Sequence, residues 1–290
     1  MPKFLLWNPA CRRDTFGKSS MFVVAGYIVV MGCVLGGYAL AGGNFGVILH
    51  AAPHELFVIC GAAIGAFLVG NSAKTVKATF KYIPKLLQGS KYTKARYLQL
   101  MSLLYDVLVK ARKEGLMSIE SDVEKPQNSP LFKKYPLIVA DHHLMEFITD
   151  YLRMMVSGNL NAHEIENLMD NEIETHHHEG AVPAHVIAKL GDGLPAFGIV
   201  AAVMGVVHTM ESVGIPPAEL GILIAKALVG TFLGILLAYG FVGPLASLLE
   251  QKLDESSKMF QCVKVTLLAS LNGYAPALAV EFGRKVLYST

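Results

Sequence analysis

The side chains of this 290-residue chain that could do chemistry fall into three groups. Histidines form the first. His176, His177 and His178 are consecutive, with Glu174 and Glu179 nearby. Adjacent residues on a helix point in different directions, whereas a metal-binding pair needs i, i+4 spacing on one face. The triplet therefore reads as a solvated linker. His142-His143 makes no better case, and His208, alone toward the end of an apolar run, reads as packed or hydrogen-bonded. Cys11, Cys33, Cys60 and Cys262 lack metal or redox spacing, and two lie in apolar runs, where a thiol is a small buried residue. No Walker loop, dinucleotide fingerprint, nucleophile elbow or zinc motif is present. The sequence points to no enzyme, no cofactor and no metal.

The second group lies in the two apolar runs between Leu194 and Leu245, where Pro195, Pro244 and Thr231 stand among recurring small residues. These include Gly198, Ala201, Ala202, Gly205, Gly230, Gly234, Ala238, Gly240 and Gly243. Gly230 and Gly234 have the small-xxx-small spacing that lets helix backbones approach closely in lipid. A proline in a membrane helix frees a carbonyl and allows a kink, tolerated where neighbouring helices or water satisfy the freed group. The third group is a mixed-charge patch, Arg112, Lys113, Glu114 and Glu120, flanking Gly115. Alone it is a solvated face; beneath a membrane bundle it could make an electrostatic contact with a moving partner.

These residues need a scaffold, and composition dictates its class. With 53% hydrophobic residues, 17% charged residues and a mean hydropathy of +0.44, the chain is too apolar for an ordinary soluble protein. A formal charge of +2 is too small to imply nucleic-acid binding. Apolar runs long enough to cross a hydrocarbon core of about 30 Å occur four times. The expected architecture is all-α: a first transmembrane hairpin over 21–71 (spans about 21–41 and 55–71), a helical domain over 72–193, a second hairpin over 194–247 (spans about 194–211 and 220–247), and a C-terminal helix and tail over 248–290. Residues 1–20 form an N-terminal extension; they resemble a signal peptide superficially but lack a cleavage site, and Met21 is a candidate natural start.

Lys and Arg set the orientation. The link from Gly42 to His54 has neither, whereas Lys74, Lys77, Lys81, Lys85, Lys91, Lys94 and Arg96 follow the second span. By the positive-inside rule both termini and the 72–193 domain are cytoplasmic, and the turn over 212–219 faces outward. The interiors of the spans are expected to hold no charged side chain, with Glu55, Asp192, Glu211 and Glu219 at their edges. Ion passage usually depends on a buried ionisable group, so a conducting assembly would take its carboxylate from a partner. In the soluble part, apolar spacing at Leu98, Met101, Leu104, Tyr105 and Leu108 predicts a helix stopped by Gly115. Further helices are expected over 141–155 and 161–175, the second opened by an Asn161-Ala-His-Glu164 cap. Gly273-Tyr-Ala-Pro276 interrupts the C-terminal helix.

Several stretches resemble the MotA family of flagellar-motor stator subunits. They are the hairpin from Gly191 to Leu245, Lys-Tyr-Thr-Lys-Ala-Arg at 91–96, Phe147-Ile-Thr-Asp-Tyr-Leu-Arg153, Glu172-Ile-Glu-Thr-His176 and Gly273-Tyr-Ala-Pro276. The resemblance runs from Met21 to Tyr288. It implies a multi-pass protein of the bacterial inner membrane, five copies of which surround two copies of a MotB-type subunit that supplies the proton-binding aspartate. By the same resemblance, Pro195 and Pro244 match prolines coupling ion flow to movement. Thr231 matches a pore-facing threonine, with Tyr239 two turns on, and Arg112 and Glu120 match charges that engage the rotor protein FliG. Ala202 falls where sodium-driven relatives place a threonine hydroxyl, so protons are the implied coupling ion rather than sodium. The alternative is an ExbB/TolQ-type proton-channel subunit energising outer-membrane processes. Those relatives have three spans, which the fourth span here and the Arg112/Glu120 surface argue against. A secondary transporter would show an intramembrane charge or an inverted repeat, and a structural scaffold would give no proton leak with its partner.

Overall fold

The computed structural model describes residues 15–86, 91–158, 161–211 and 214–287, so the N-terminal extension assigned to 1–20 lies largely outside the described residues. Among these the chain is helical throughout, with no strand. In chain order the elements are α1 (Thr15–Leu40), α2 (Phe45–Gly70), α3 (Ala73–Leu86), α4 (Lys94–Glu114), a 3-10 turn (Leu116–Ile119) and α5 (Glu120–Glu124). They continue with α6 (Pro130–Lys133), α7 (Pro136–Val139), α8 (His142–Ser157), α9 (Ala162–Met210), α10 (Pro217–Ile235), a π-helical segment (Leu236–Val242), α11 (Gly243–Leu271) and α12 (Pro276–Val286). Four helical stretches are long and apolar enough to cross a membrane: Met21–Leu40, Phe45–Gly70, Ala162–Met210 and Pro217–Leu271.

The boundaries have local causes. Asn44 opens α2 by accepting the Gly46 amide at 2.9 Å. Gly115 (φ +88°) ends α4 and Gly158 (φ +67°) ends α8, conformations that L side chains rarely adopt. At the start of α9 the Asn161 side chain accepts the Glu164 amide at 2.9 Å, and Glu164 accepts the Asn161 amide at 3.1 Å. This is the reciprocal capping box that the spacing predicts. The helix it opens does not stop at Thr175. It runs for 49 residues, through His176–His178 and with Pro183 and Pro195 inside, so the histidine triplet is helix and not a linker.

The chain divides into two compact units, one of residues 1–90 and 181–250, the other of residues 91–180 and 251–290. In the first, α2, α9 and α10 pack around Ile59, Ala63, Leu194, Ala201 and Ala238. Contact between α9 and α10 is backbone to backbone. A methyl group on Gly198 would lie 2.8 Å from the Gly230 carbonyl oxygen, and one on Gly234 would lie 2.8 Å from the Leu194 carbonyl oxygen. Further along, a methyl on Gly205 would meet Ala227 Cβ at 2.8 Å. Beside this seam α1 is held by Tyr27, which stacks on Phe241 (4.9 Å) and donates its hydroxyl to the Phe241 carbonyl at 3.1 Å.

Glu55 and Lys226 stand inside apolar runs expected to hold no charge. α2 begins ten residues before Glu55 (Phe45 against Glu55), which places that carboxylate well within the helix and not at its edge. Lys226 lies half-buried in α10, inside the apolar run itself.

The second unit has an ordinary apolar core of α4 to α8, the start of α9, α11 and α12, with Leu103, Leu104, Phe132, Phe147, Ile148, Leu152, Met259 and Val263 at its centre. Buried polar groups in it are paired. Arg96 donates to the Leu137 carbonyl (2.9 and 3.2 Å) and lies 3.4 Å from Asp141. Lys264 donates to both Asp170 oxygens at 2.6 Å. Burial raises the Asp122 carboxyl, but hydrogen bonds from Lys110 and Ser129 outweigh it and hold the group below its ordinary range.

Because the α9–α10 seam has no room for a side chain, Gly234→Val is expected to destabilise the assembled protein by at least about 1 kcal/mol through overpacking. Thermal unfolding of the detergent-solubilised protein measures this; an unchanged midpoint would remove the close approach.

Candidate functional site

The candidate site is the part of the first unit where α9, α10 and the π-helical segment meet. Pro195 stands half-buried in α9, and Pro244 stands exposed at the start of α11. A methyl on Gly191, one turn before Pro195, would lie 3.7 Å from the Gly243 amide nitrogen, directly before Pro244. Pro244 therefore sits across from the turn that precedes Pro195, and Leu194, next to Pro195, lies against Gly234.

The π-helical segment has a physical origin in this sequence. Proline has no N–H, so Pro244 cannot donate back to the carbonyl four residues before it. The preceding amide, Gly243 N–H, reaches back five residues to the Ala238 carbonyl, and the turn widens over Leu236–Val242. A widened turn in a membrane helix holds carbonyl groups only loosely committed to the helix. Tyr239 lies in this segment with its ring 68% exposed, so it faces outward from the unit and not into the seam.

One seam brings Ala202 and Thr231 together. Gly198 of α9 faces Gly230, Thr231 and Gly234 of α10, and the position of a Gly230 side chain would be 3.2 Å from Ala201 Cβ and from the Ala202 nitrogen. That same position is taken by Glu55 Oε2 from α2. Sequence reasoning missed Glu55 as a member of this group. The signal that could have found it is Asn44, whose cap places the start of α2 far enough back to draw the carboxylate inside. Ala202 is buried and offers only a methyl group, while Thr231 offers the one hydroxyl among these contacts.

Arg112 and Glu120 belong to the second unit. Both are exposed, and they flank the 3-10 turn with Leu116 and Met117, themselves 41% and 66% exposed. Arg112 donates to the Tyr274 carbonyl at 3.1 Å, tying the patch to the corner after Gly273. Charge and exposed apolar surface therefore share one face, a composition suited to docking a protein. Tyr274 and Met117 are further residues of this face.

The histidines occupy a different place from the one expected. His176 is half-buried, its ring 4.7 Å from Phe260 and 5.8 Å from His143, while His177 Nδ1 lies 2.9 Å from Ser257 Oγ. Burial, followed by the neighbouring His143, pushes the His176 pKa below its ordinary value. Among the described residues no group of three or more His, Cys, Asp or Glu side chains could hold a metal ion.

Comparison with known proteins agrees with this geometry. Residues 24–115 match the model described as motility protein A N-terminal, and residues 139–262 match that of the MotA/TolQ/ExbB proton channel family. Motility protein A of Salmonella typhimurium is 58% identical over 93% of this chain and 91% of its own length. The structure of C. jejuni MotAB aligns with a TM-score of 0.74 at 20% identity, over 92% of this chain and 95% of that one. The flagellar MotAB stator complex from Bacillus subtilis gives a TM-score of 0.68 at 24% identity, over 89% and 92%. Both structures share the fold.

A His176 pKa held below its ordinary value carries a sign. Neutral His176 is favoured in the folded unit, so its contribution is complete above the unfolded pKa of about 6.5 and is lost as pH falls through the folded value. His176→Phe is expected to flatten the acid side of the stability profile between about pH 7 and 5. Unfolding midpoints of wild type and variant across that range measure it, and parallel profiles would refute the claim.

Proposed function

The chain belongs to the motility protein A branch of the MotA/TolQ/ExbB proton channel family, and from that premise we infer that it is the stator subunit of a bacterial flagellar motor. It is a multi-pass protein of the bacterial inner membrane, with a transport and mechanical role and not an enzymatic one. With a MotB-type partner it couples ion flow across the membrane to torque on the rotor. The likeness to motility protein A along nearly the whole chain carries this conclusion.

The finer assembly follows as part of the same proposal. Five copies enclose two partner subunits, whose aspartate binds the proton; both termini and the 72–193 domain are cytoplasmic. Exposed apolar residues on α9 support a ring: Ile199, Val203, Met204 and Val207 are each more than half exposed in the single chain and need lipid or protein against them. Protonation removes the partner's charge and changes its fit against the hairpin, and release to the cytoplasm resets it. Each elementary charge crossing the membrane supplies about 2.3 kcal/mol per 100 mV, so torque accumulates over many small steps.

Within the ring, Pro195, Pro244, Thr231 and Tyr239 line or adjust the ion pathway. The seam of α9 and α10 is too close-packed to deform internally, and the widened turn before Pro244 supplies the place where it can bend. Ala202 supports protons as the coupling ion. Sodium needs several oxygen ligands, and this position provides none. Arg112 and Glu120, with Leu116 and Met117 between them, form the face that engages FliG.

The test is complementation of a stator-null strain with this chain and its MotB-type partner. Motility should be restored, should be unaffected by removing sodium and should respond to external pH. Sodium-dependent swimming would overturn the proton assignment, and failure to swim would overturn the stator reading. In the same strain Pro195→Leu should abolish rotation while the variant still co-purifies with its partner. Loss of membrane insertion instead would make the proline merely structural.

A further inference from the structure

Among the described residues, Glu55 Oε2 is the one buried side-chain nitrogen or oxygen with no hydrogen-bond partner. It sits where a side chain at residue 230 would otherwise stand, and only glycine leaves that space. Facing it are Gly230 of α10 and, across that glycine, Ala201 and Ala202 of α9, none of them titratable. The charged or titratable groups closest along the three helices are His54 beside it, Lys226 one turn before Gly230, and His208 two turns beyond Ala201. None of the three hydrogen-bonds to it: His54 acts on it through charge alone, and His208 lies 3.5 Å from Glu211 instead.

An ionisable residue inside a span is costly and marks an ion path by default, and a buried oxygen without a donor is costly as well. The larger of these costs, the charge, is lifted by a proton on the carboxyl group, which also turns the unpartnered acceptor into an O–H donor. We propose that Glu55 carries a proton on the ion path, a carboxyl group that the ring itself owns in addition to the partner's acid. The proposal rests on the stator reading. By the positive-inside orientation Glu55 lies in the outer half of α2, so the proton it takes arrives from that side. The step is a proton transfer alone: an O–H bond forms on the carboxylate, then breaks as the proton passes through water toward the partner's acid, and no electrons are exchanged. Thr231 follows Gly230 in α10, one residue further toward the inner side.

The experiment compares wild type, Glu55→Gln and Glu55→Asp, each co-expressed with the MotB-type partner in stator-null cells. Proton flux is read with a pH-sensitive fluorophore and normalised to co-purified complex. Gln keeps size and polarity but cannot carry the proton, so flux per complex should fall on the order of tenfold or more. Asp keeps the acid and should recover a substantial part of it. Wild-type flux in the Gln variant, or equal loss in Gln and Asp, would overturn the proposal by reducing Glu55 to a packing group. If the Gln variant fails to assemble, carbodiimide labelling of the wild-type complex decides. That reagent attacks protonated carboxyl groups in apolar surroundings, so Glu55 should be modified, faster as pH falls; an unmodified Glu55 would overturn the proposal. A wild type that conducts no protons would instead sink the stator reading, an outcome distinct from all of these.

Discussion

The close approach of α9 and α10 is the constraint on which the rest of the membrane unit depends. In lipid the hydrophobic effect does not drive helices together, since the tails are as apolar as leucine. Association must come from dispersion contacts, which fall off steeply with distance. Gly198, Gly205, Gly230 and Gly234 remove the side chains that would hold the backbones apart, leaving carbonyl oxygens and Cα atoms in contact. Such a seam is rigid because its atoms have nowhere to go. Any movement has to be accommodated beyond its ends, and the segment before Pro244 is where the hydrogen-bond pattern is already loosened.

The same geometry explains why a carboxylate can enter. At Gly230 the absence of a side chain opens a notch facing α2, and Glu55 fills it. A glycine that serves helix packing on one side thus makes room for an acid on another. The soluble unit obeys a different logic. There the core is large and apolar, and its buried charges are tied down, Lys264 to Asp170 and Arg96 to the α7–α8 corner. That rigidity suits a unit whose exposed face, around Arg112, Met117 and Glu120, is the one proposed to engage the rotor.

Much of this was legible in the sequence because membrane spans and caps are local signals. The four apolar runs, the Asn161–Glu164 capping box and the stop at Gly115 follow from spacing and backbone conformation alone. What was not legible depends on tertiary contact. His176–His178 reads as polar linker because its charge and polarity are visible, whereas Phe260 and Ser257, about 80 residues further along the chain, are not. Glu55 reads as a boundary because apolar runs are measured from their charged ends. The helix in fact starts at Phe45, since in a helix the backbone is satisfied internally whether or not one side chain is charged. Lys226 was hidden by its neighbours, being one cation in an otherwise apolar run.

The proposed function requires an assembly of this chain that holds protons back until a partner's helix is inserted. Proton flux through liposomes measures that directly, with the purified chain alone and then with its MotB-type partner. The account predicts that the chain alone holds an imposed proton gradient and that flux appears only in the presence of the partner. Sustained proton flux through the chain alone would contradict it.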